Sequence, residues 1–143
     1  MNKPITSFTK EYAWLSNFFP AIVTYDGMTY PTVEHAFQAA KTLDMEKRKE
    51  IVAAVTPGRA KRLGRQVKLR PDWEEIKINI MAELLHKKFK HKELREKLLA
   101  TGDAYLEEGN TWNDNFWGNC NGHGANWLGI LLMKEREKIR GME

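Results

Sequence analysis

Two side chains able to act on one bond, the carboxylate of Glu34 and the amine of Lys41, stand within a single short stretch of this chain. It reads Pro31-Thr32-Val33-Glu34-His35-Ala36-Phe37-Gln38-Ala39-Ala40-Lys41. Thr32 after a proline suits a helix N-cap, and the alanines behind it favour helix over strand. On such a helix Val33, Phe37 and Ala40 share one face, while Glu34, Gln38 and Lys41 form a polar stripe beside it. Desolvation next to buried surface raises a glutamate's pKa and lowers a lysine's, whereas mutual pairing opposes both shifts. A pair tuned this way is set up for acid–base or nucleophilic chemistry. The same spacing also describes an ordinary surface salt-bridge face, and both readings fit.

The elements that must position the pair follow from the rest of the chain. Ile5 to Thr9 reads as a strand, and Ile22 to Tyr25, Asp26-Gly27 and Met28 to Tyr30 read as a hairpin, since Asp-Gly between apolar runs is a strong turn signal. Between them lies Trp14-Leu15-Ser16-Asn17-Phe18-Phe19-Pro20, which suits either a core plug under the sheet or a wall of rings and amides around a planar ligand. After the central helix, Asp44 to Ala54 forms a second helix, stopped by Thr56-Pro57-Gly58. The proline also suits the start of a third, which carries a basic run and ends near Leu69. Asp72 caps a long helix through Lys90, with Trp73, Ile76, Ile80, Leu84 and Leu85 on its buried side, and a shorter helix spans Glu93 to Ala100. Ala104 to Glu108 fits a short strand. From Asn110 to Asn126 no period holds, and Trp112, Phe116 and Trp117 argue that this long irregular segment is ordered and functional. Periodicity returns on a last helix from Trp127 to Arg140.

With 143 residues and 42% hydrophobic content, the chain can bury one sizeable core, and no stretch has the composition of a linker. One domain is expected. Cys120 is the single cysteine, the N-terminus lacks the apolar region of a secretory signal, and no apolar run approaches a membrane span. These features imply a cytoplasmic, reduced protein. The net charge of +4 is modest, but Arg59, Lys61, Arg62, Arg65, Lys68 and Arg70 follow one another with no acidic residue among them. Such a run meets phosphates of a nucleotide or nucleic acid, or is a solvated helix face.

Gly122 and Gly124, just ahead of the last helix, let backbone amides and a helix N-terminus approach an anion, or serve as turn residues. They do not complete a dinucleotide fingerprint. Cys120 and His123 have the spacing of a ligand pair, but no second cysteine or histidine pair completes a zinc site, so no metal is expected. Serine hydrolase chemistry has no motif here.

Taken together, several stretches resemble the NADAR family: Leu15-Ser16-Asn17-Phe18, Asp26 through Lys41, Arg70-Pro71-Asp72-Trp73-Glu74, Asn113-Asp114-Asn115-Phe116-Trp117-Gly118, and Gly122 through Met133. Their order and spacing cover nearly the whole chain. The resemblance implies a compact α+β domain, mainly helical with a small antiparallel sheet. It further implies an enzyme that hydrolyses N-glycosidic bonds at a ribose without a cofactor. Two substrate classes go with the family: ADP-ribose linked to guanine in DNA or RNA, for which a companion ADP-ribosyltransferase would write the mark, and phosphorylated ribosylamino intermediates of riboflavin synthesis. By matching positions, the catalytic glutamate is Glu34 and its helix neighbour is Lys41. The pocket draws on Asn17, Phe18, Trp73, Asp114, Trp117, Gly118 and Asn126. The loop around Trp112 and Asn119 to Asn121 departs from the pattern.

Cleaving a ribosyl C–N bond passes through an oxocarbenium-like state that a carboxylate such as Glu34 stabilises. Glu34 can also deprotonate the attacking water, while Asp114 protonates the leaving nitrogen or holds ribose hydroxyls. A second route runs through Lys41, whose amine can form a Schiff base with an opened ribose. Phe18, Trp73 and Trp117 offer stacking surfaces for a base, and Arg65 with the Gly124 loop offers contacts for phosphates. Two rivals use the same residues: a module that binds ADP-ribose or NAD without cleavage, and a single-strand nucleic-acid binder.

Overall fold

Helix α1 (Val33–Ala40) begins where the sequence predicts, with Thr32 Oγ1 accepting the backbone N–H of His35 at 3.0 Å. A computed structural model describes residues 2–142, which fold as two compact units. One is Asn17–Lys88, and the other joins the chain up to Ser16 with everything from Phe89 on. The architecture is α+β and mainly helical. Among the described residues no helix is long and apolar enough to cross a membrane.

The Asn17–Lys88 unit is built around α1. A hairpin precedes it, β1 (Val23–Tyr25) pairing antiparallel with β2 (Met28–Tyr30) in the register Val23 to Tyr30. Asp26 and Gly27 make its turn, both at positive φ. Helices α2 (Met45–Val52), α3 (Pro57–Gly64) and α4 (Trp73–Lys88) pack on the other sides of α1. Asp44 caps α2 by accepting from Glu46 N–H, and Thr56 caps α3 by accepting from Arg59 N–H, with Pro57 at its start. Buried Arg48 joins three of these pieces: its Nε donates to the Thr42 carbonyl, its Nη1 pairs with Asp26 at 2.8 Å, and its guanidinium lies over the Tyr25 ring.

The consequence for α1 is that all eight of its residues are buried. Of the two readings that the spacing allows, the surface salt-bridge face is therefore excluded for Glu34 and Gln38, which are buried along with Val33 and Phe37. The end of α3 and the capping of α4 also differ. Helix α3 stops at Gly64, well before Leu69; a turn at 65–66 follows, and the chain continues without helix or strand to Arg70, whose backbone N–H donates to the Lys41 carbonyl at 2.8 Å. At the start of α4 the Asp72 carboxylate accepts from Arg70 Nε and Nη2, and it is the Asp72 carbonyl that accepts the N–H groups of Glu75 and Ile76.

In the second unit, a 3₁₀ helix spans Lys10–Leu15, and α5 (Lys92–Ala100) packs against α6 (Trp127–Gly141). The expected strand from Ile5 to Thr9 is reduced to one parallel bridge, Ile5 with Leu106. Ser7 and Thr9 hydroxyls bond each other instead, and Lys10 at φ 53° turns the chain into the 3₁₀ helix. Ala104 to Glu108 likewise gives only that bridge at Leu106. A parallel pair lies further on, β3 (Gly109–Asn110) with β4 (Asn119–Cys120), the latter inside the segment expected to be irregular.

Candidate active site

Glu34 enters the site from the first turn of α1 at 7% exposure. Its backbone N–H donates to the Asn17 carbonyl at 3.1 Å, and its Oε2 accepts from Gln38 Nε2 at 2.5 Å. Asn17, also buried, donates from Nδ2 to Met81 Sδ, while its Oδ1 has no hydrogen-bond partner in the protein. Phe18 follows and is 42% exposed. Lys41, at the C-cap of α1, is half-buried. Burial lowers its pKa, Glu34 opposes that shift, and Lys61, Arg65 and Lys77 add to it by like-charge repulsion. The basic run of α3 and the side of α4 thus converge electrostatically on the amine. Arg65 itself is exposed.

Two contacts brace this end of α1. Arg70 donates from Nη1 to the Ala40 carbonyl and to the Tyr25 hydroxyl, while the Asp72 carboxylate holds its guanidinium pKa above the usual value. Trp73 is buried against Phe37, ring centroids 5.0 Å apart and planes tilted 54°. His35 is fixed between Thr32 Oγ1 on Nδ1 and the Ala54 carbonyl, to which Nε2 donates at 3.0 Å.

The other group of predicted residues lies on the loop of the second unit. Asp114 Oδ1 accepts the backbone N–H groups of Phe116 and Trp117, at 3.2 and 2.9 Å, which makes an Asx turn. Phe116 and Trp117 meet edge to face, 4.8 Å apart. Gly118 and Gly124 lie where a side chain would strike the carbonyls of Glu108 and Gly118. Asn126 is 2% exposed, in the left-handed region, and its amide bonds Leu106, Tyr105 and Glu108.

Loop carbonyls take the amides that this segment would offer an anion. Ala125, Asn126, Trp127 and Leu128 donate to the carbonyls of Asn115, Gly118, Phe116 and Trp117. A long irregular segment must satisfy its own backbone, and here the start of α6 does so. The ligand-like spacing of Cys120 and His123 is likewise a tight turn: their backbones exchange two hydrogen bonds across Asn121 and Gly122, both at positive φ. Among the described residues no three His, Cys, Asp or Glu side chains are grouped to hold a metal ion.

Gln38 and Asn110 are site-forming residues that the sequence reading did not select. Gln38 was visible at the i, i+4 spacing from Glu34. Asn110 had no local signal, because its amide reaches Asp114 and Asn119 carbonyls while its Oδ1 accepts from Trp112 and Asp114 N–H groups.

Fold and site together define a NADAR protein: the NADAR domain profile matches residues 6–140, and the chain belongs to that family. It is 45% identical over 137 residues to the N-glycosidase YbiA of Shigella flexneri serotype 5b, covering 93% of this chain and 85% of that protein. The riboflavin biosynthesis protein VVA0006 of Vibrio vulnificus is 35% identical over 146 residues, which is 98% of this chain and 40% of that longer relative. The NMR structure of the Escherichia coli protein YbiA matches with a TM-score of 0.87 and 41% identity, over 99% of this chain and 88% of the other.

Proposed function

We propose that this protein is an N-glycosidase that hydrolyses a ribosyl C–N bond, and that its substrate is ADP-ribose carried on a guanine base of DNA or RNA. The observation that carries the reading is the buried Glu34 carboxylate, held by Gln38, on the same short helix as an amine of lowered pKa. The names of relatives as N-glycosidases support the bond type.

As the C–N bond breaks, positive charge grows on the anomeric carbon and its ring oxygen, and a desolvated carboxylate stabilises it strongly. Glu34 supplies that charge and accepts a proton from the water that adds. Lys41 offers the second route, in which its neutral amine condenses with the aldehyde of an opened ribose and water later releases the sugar. Lys61, Arg65 and Lys77, whose charges act on Lys41, favour a ribosyl group that carries phosphate. The diphosphate of ADP-ribose meets that requirement. A companion ADP-ribosyltransferase would then supply the modified base.

A second reading follows from the name of VVA0006, a riboflavin biosynthesis protein. Phosphorylated ribosylamino intermediates present the same bond and a phosphate, so the same cations suit them. The decisive experiment incubates purified protein with an oligonucleotide bearing ADP-ribose on guanine and, separately, with a ribosylaminopyrimidine phosphate. Release of free ADP-ribose from the first is expected. Cleavage of the second alone transfers the assignment to riboflavin intermediates, and tight binding without release of any sugar replaces the enzyme with a binding module.

A further inference from the structure

Gln38 donates to the Glu34 carboxylate from one end of its amide, and the other end, Oε1, is buried without a hydrogen-bond partner. Nε2 faces Glu34 and Oε1 points away, the orientation that suits an ionised carboxylate, which only accepts. What lies there is Gly64 of α3. A Cβ built on Gly64 would lie 2.9 Å from Gln38 Cβ and would strike Oε1 itself. Glycine favours helix less than alanine does, so its place as the last residue of a helix of only eight needs a reason. The reason is space for the amide.

We infer that Gln38 is a positioning residue for Glu34, and that Gly64 acts through Gln38 by leaving room for the one amide orientation that presents N–H to the carboxylate. The chain of contact runs from α3 to α1 inside one compact unit, from Gly64 to Gln38 to Glu34. Gln38 touches no reacting atom in this scheme. It fixes the rotamer of the carboxylate and favours its ionised form, since a hydrogen bond to the charged state stabilises that state. The inference rests on the assignment of Glu34 as the catalytic carboxylate only where turnover is concerned. The contact with the carboxylate can be read without substrate.

The test uses the full chain with Gln38→Met, which keeps length and removes the donor, and Gly64→Ala, which removes no polar group. The first readout is the ¹³C titration of the Glu34 side-chain carboxyl, assigned by its absence in Glu34→Gln. Lys41, at the C-cap of α1, is the charged group that interacts with Glu34, and Lys61, Arg65 and Lys77 act in turn on Lys41; both variants leave all four in place. In each variant the titration midpoint is expected to rise by about one pH unit over wild type. The second readout is steady-state kinetics on the ADP-ribosylated oligonucleotide, where kcat falls about tenfold or more with KM within about threefold, and the double variant is no worse than Gln38→Met. If Met at position 38 prevents folding, Gly64→Ala carries both readouts alone. An unchanged midpoint overturns the inference whatever the activity. A raised midpoint with inactive wild-type protein sustains the contact and defeats the proposed substrate, so the two failures are separable.

Discussion

The backbone N–H of Glu34 donates to the carbonyl of Asn17 across 3.1 Å, tying the first turn of α1 to the segment that carries Phe18. This bond and the Thr32 cap are made without the Glu34 carboxylate. Replacing the carboxylate by an amide therefore leaves the entry to the helix intact and removes only charge and basicity. For Glu34→Gln we expect turnover to fall by at least about 100-fold with affinity for ADP-ribose within a few-fold of wild type. Steady-state kinetics and calorimetric titration check the two halves, and full activity in this variant overturns the role of Glu34.

Lys41 carries a lowered pKa because burial disfavours its charge and Lys61, Arg65 and Lys77 repel it, against the attraction of Glu34. Its neutral amine is therefore available at lower pH than that of a free lysine. Reductive methylation followed by mass spectrometry across a pH series should label Lys41 ahead of the exposed lysines. Arg65→Gln removes one repelling charge, so the labelling midpoint of Lys41 should move to higher pH. With substrate and borohydride present, an adduct on Lys41 marks the Schiff-base route, and its absence during turnover assigns the step to water.

The parts of the fold written in local chemistry were legible from the sequence. Thr32, Asp44 and Thr56 announce their helices by the caps they make, and Asp26-Gly27 announces the hairpin. What was not legible depends on residues far apart in the chain. A polar stripe on α1 looks solvent-facing until α3 and α4 cover it, so the pattern located Glu34 and Gln38 but not their burial. Helix α3 ends at Gly64 rather than near Leu69, and the chain beyond it is tied to α1 through the Arg70 N–H and the Lys41 carbonyl, a contact that no local signal announces. Ile5 to Thr9 has strand-forming residues, but its backbone bonds to the 105–109 segment involve only Ile5 and Thr6, and strand-forming residues make a strand only where another backbone continues the pairing.

Lys88, at the end of α4, shows how burial alone sets a pH dependence. Its side chain is fully buried with the ammonium 6.0 Å from the centroid of the Phe19 ring, and desolvation lowers its pKa from 10.5 to about 7. Between those values the unfolded chain holds more protons than the folded one, so stability rises as pH increases through that window. Lys88→Met removes the group from both states. Its stability relative to wild type should be most favourable near pH 6 and decline steadily towards about pH 10. Urea midpoints of the two proteins across this range give the answer, and parallel pH profiles would show that Lys88 is not the source.

Asn110 and Asp114 hold one loop by different means, and that difference separates scaffold from chemistry. Asn110 donates to the Asp114 and Asn119 carbonyls and accepts from Trp112 and Asp114 N–H groups, so Asn110→Ala leaves several backbone groups without partners. A loss of roughly 1–3 kcal/mol in unfolding free energy is expected, with increased amide exchange confined to the segment between β3 and β4. Asp114 contributes one carboxylate oxygen to the N–H groups of Phe116 and Trp117. In Asp114→Asn an amide oxygen can accept the same two bonds, so the turn and the Phe116 to Trp117 contact should persist with a thermal midpoint close to wild type. Asp114→Ala lacks that oxygen and should unfold at lower temperature. If Asp114 also hands a proton to the departing base, the asparagine variant loses turnover while keeping its fold, and the loss is greatest for leaving groups that most need protonation. Wild-type kcat in Asp114→Asn would restrict this residue to holding the loop.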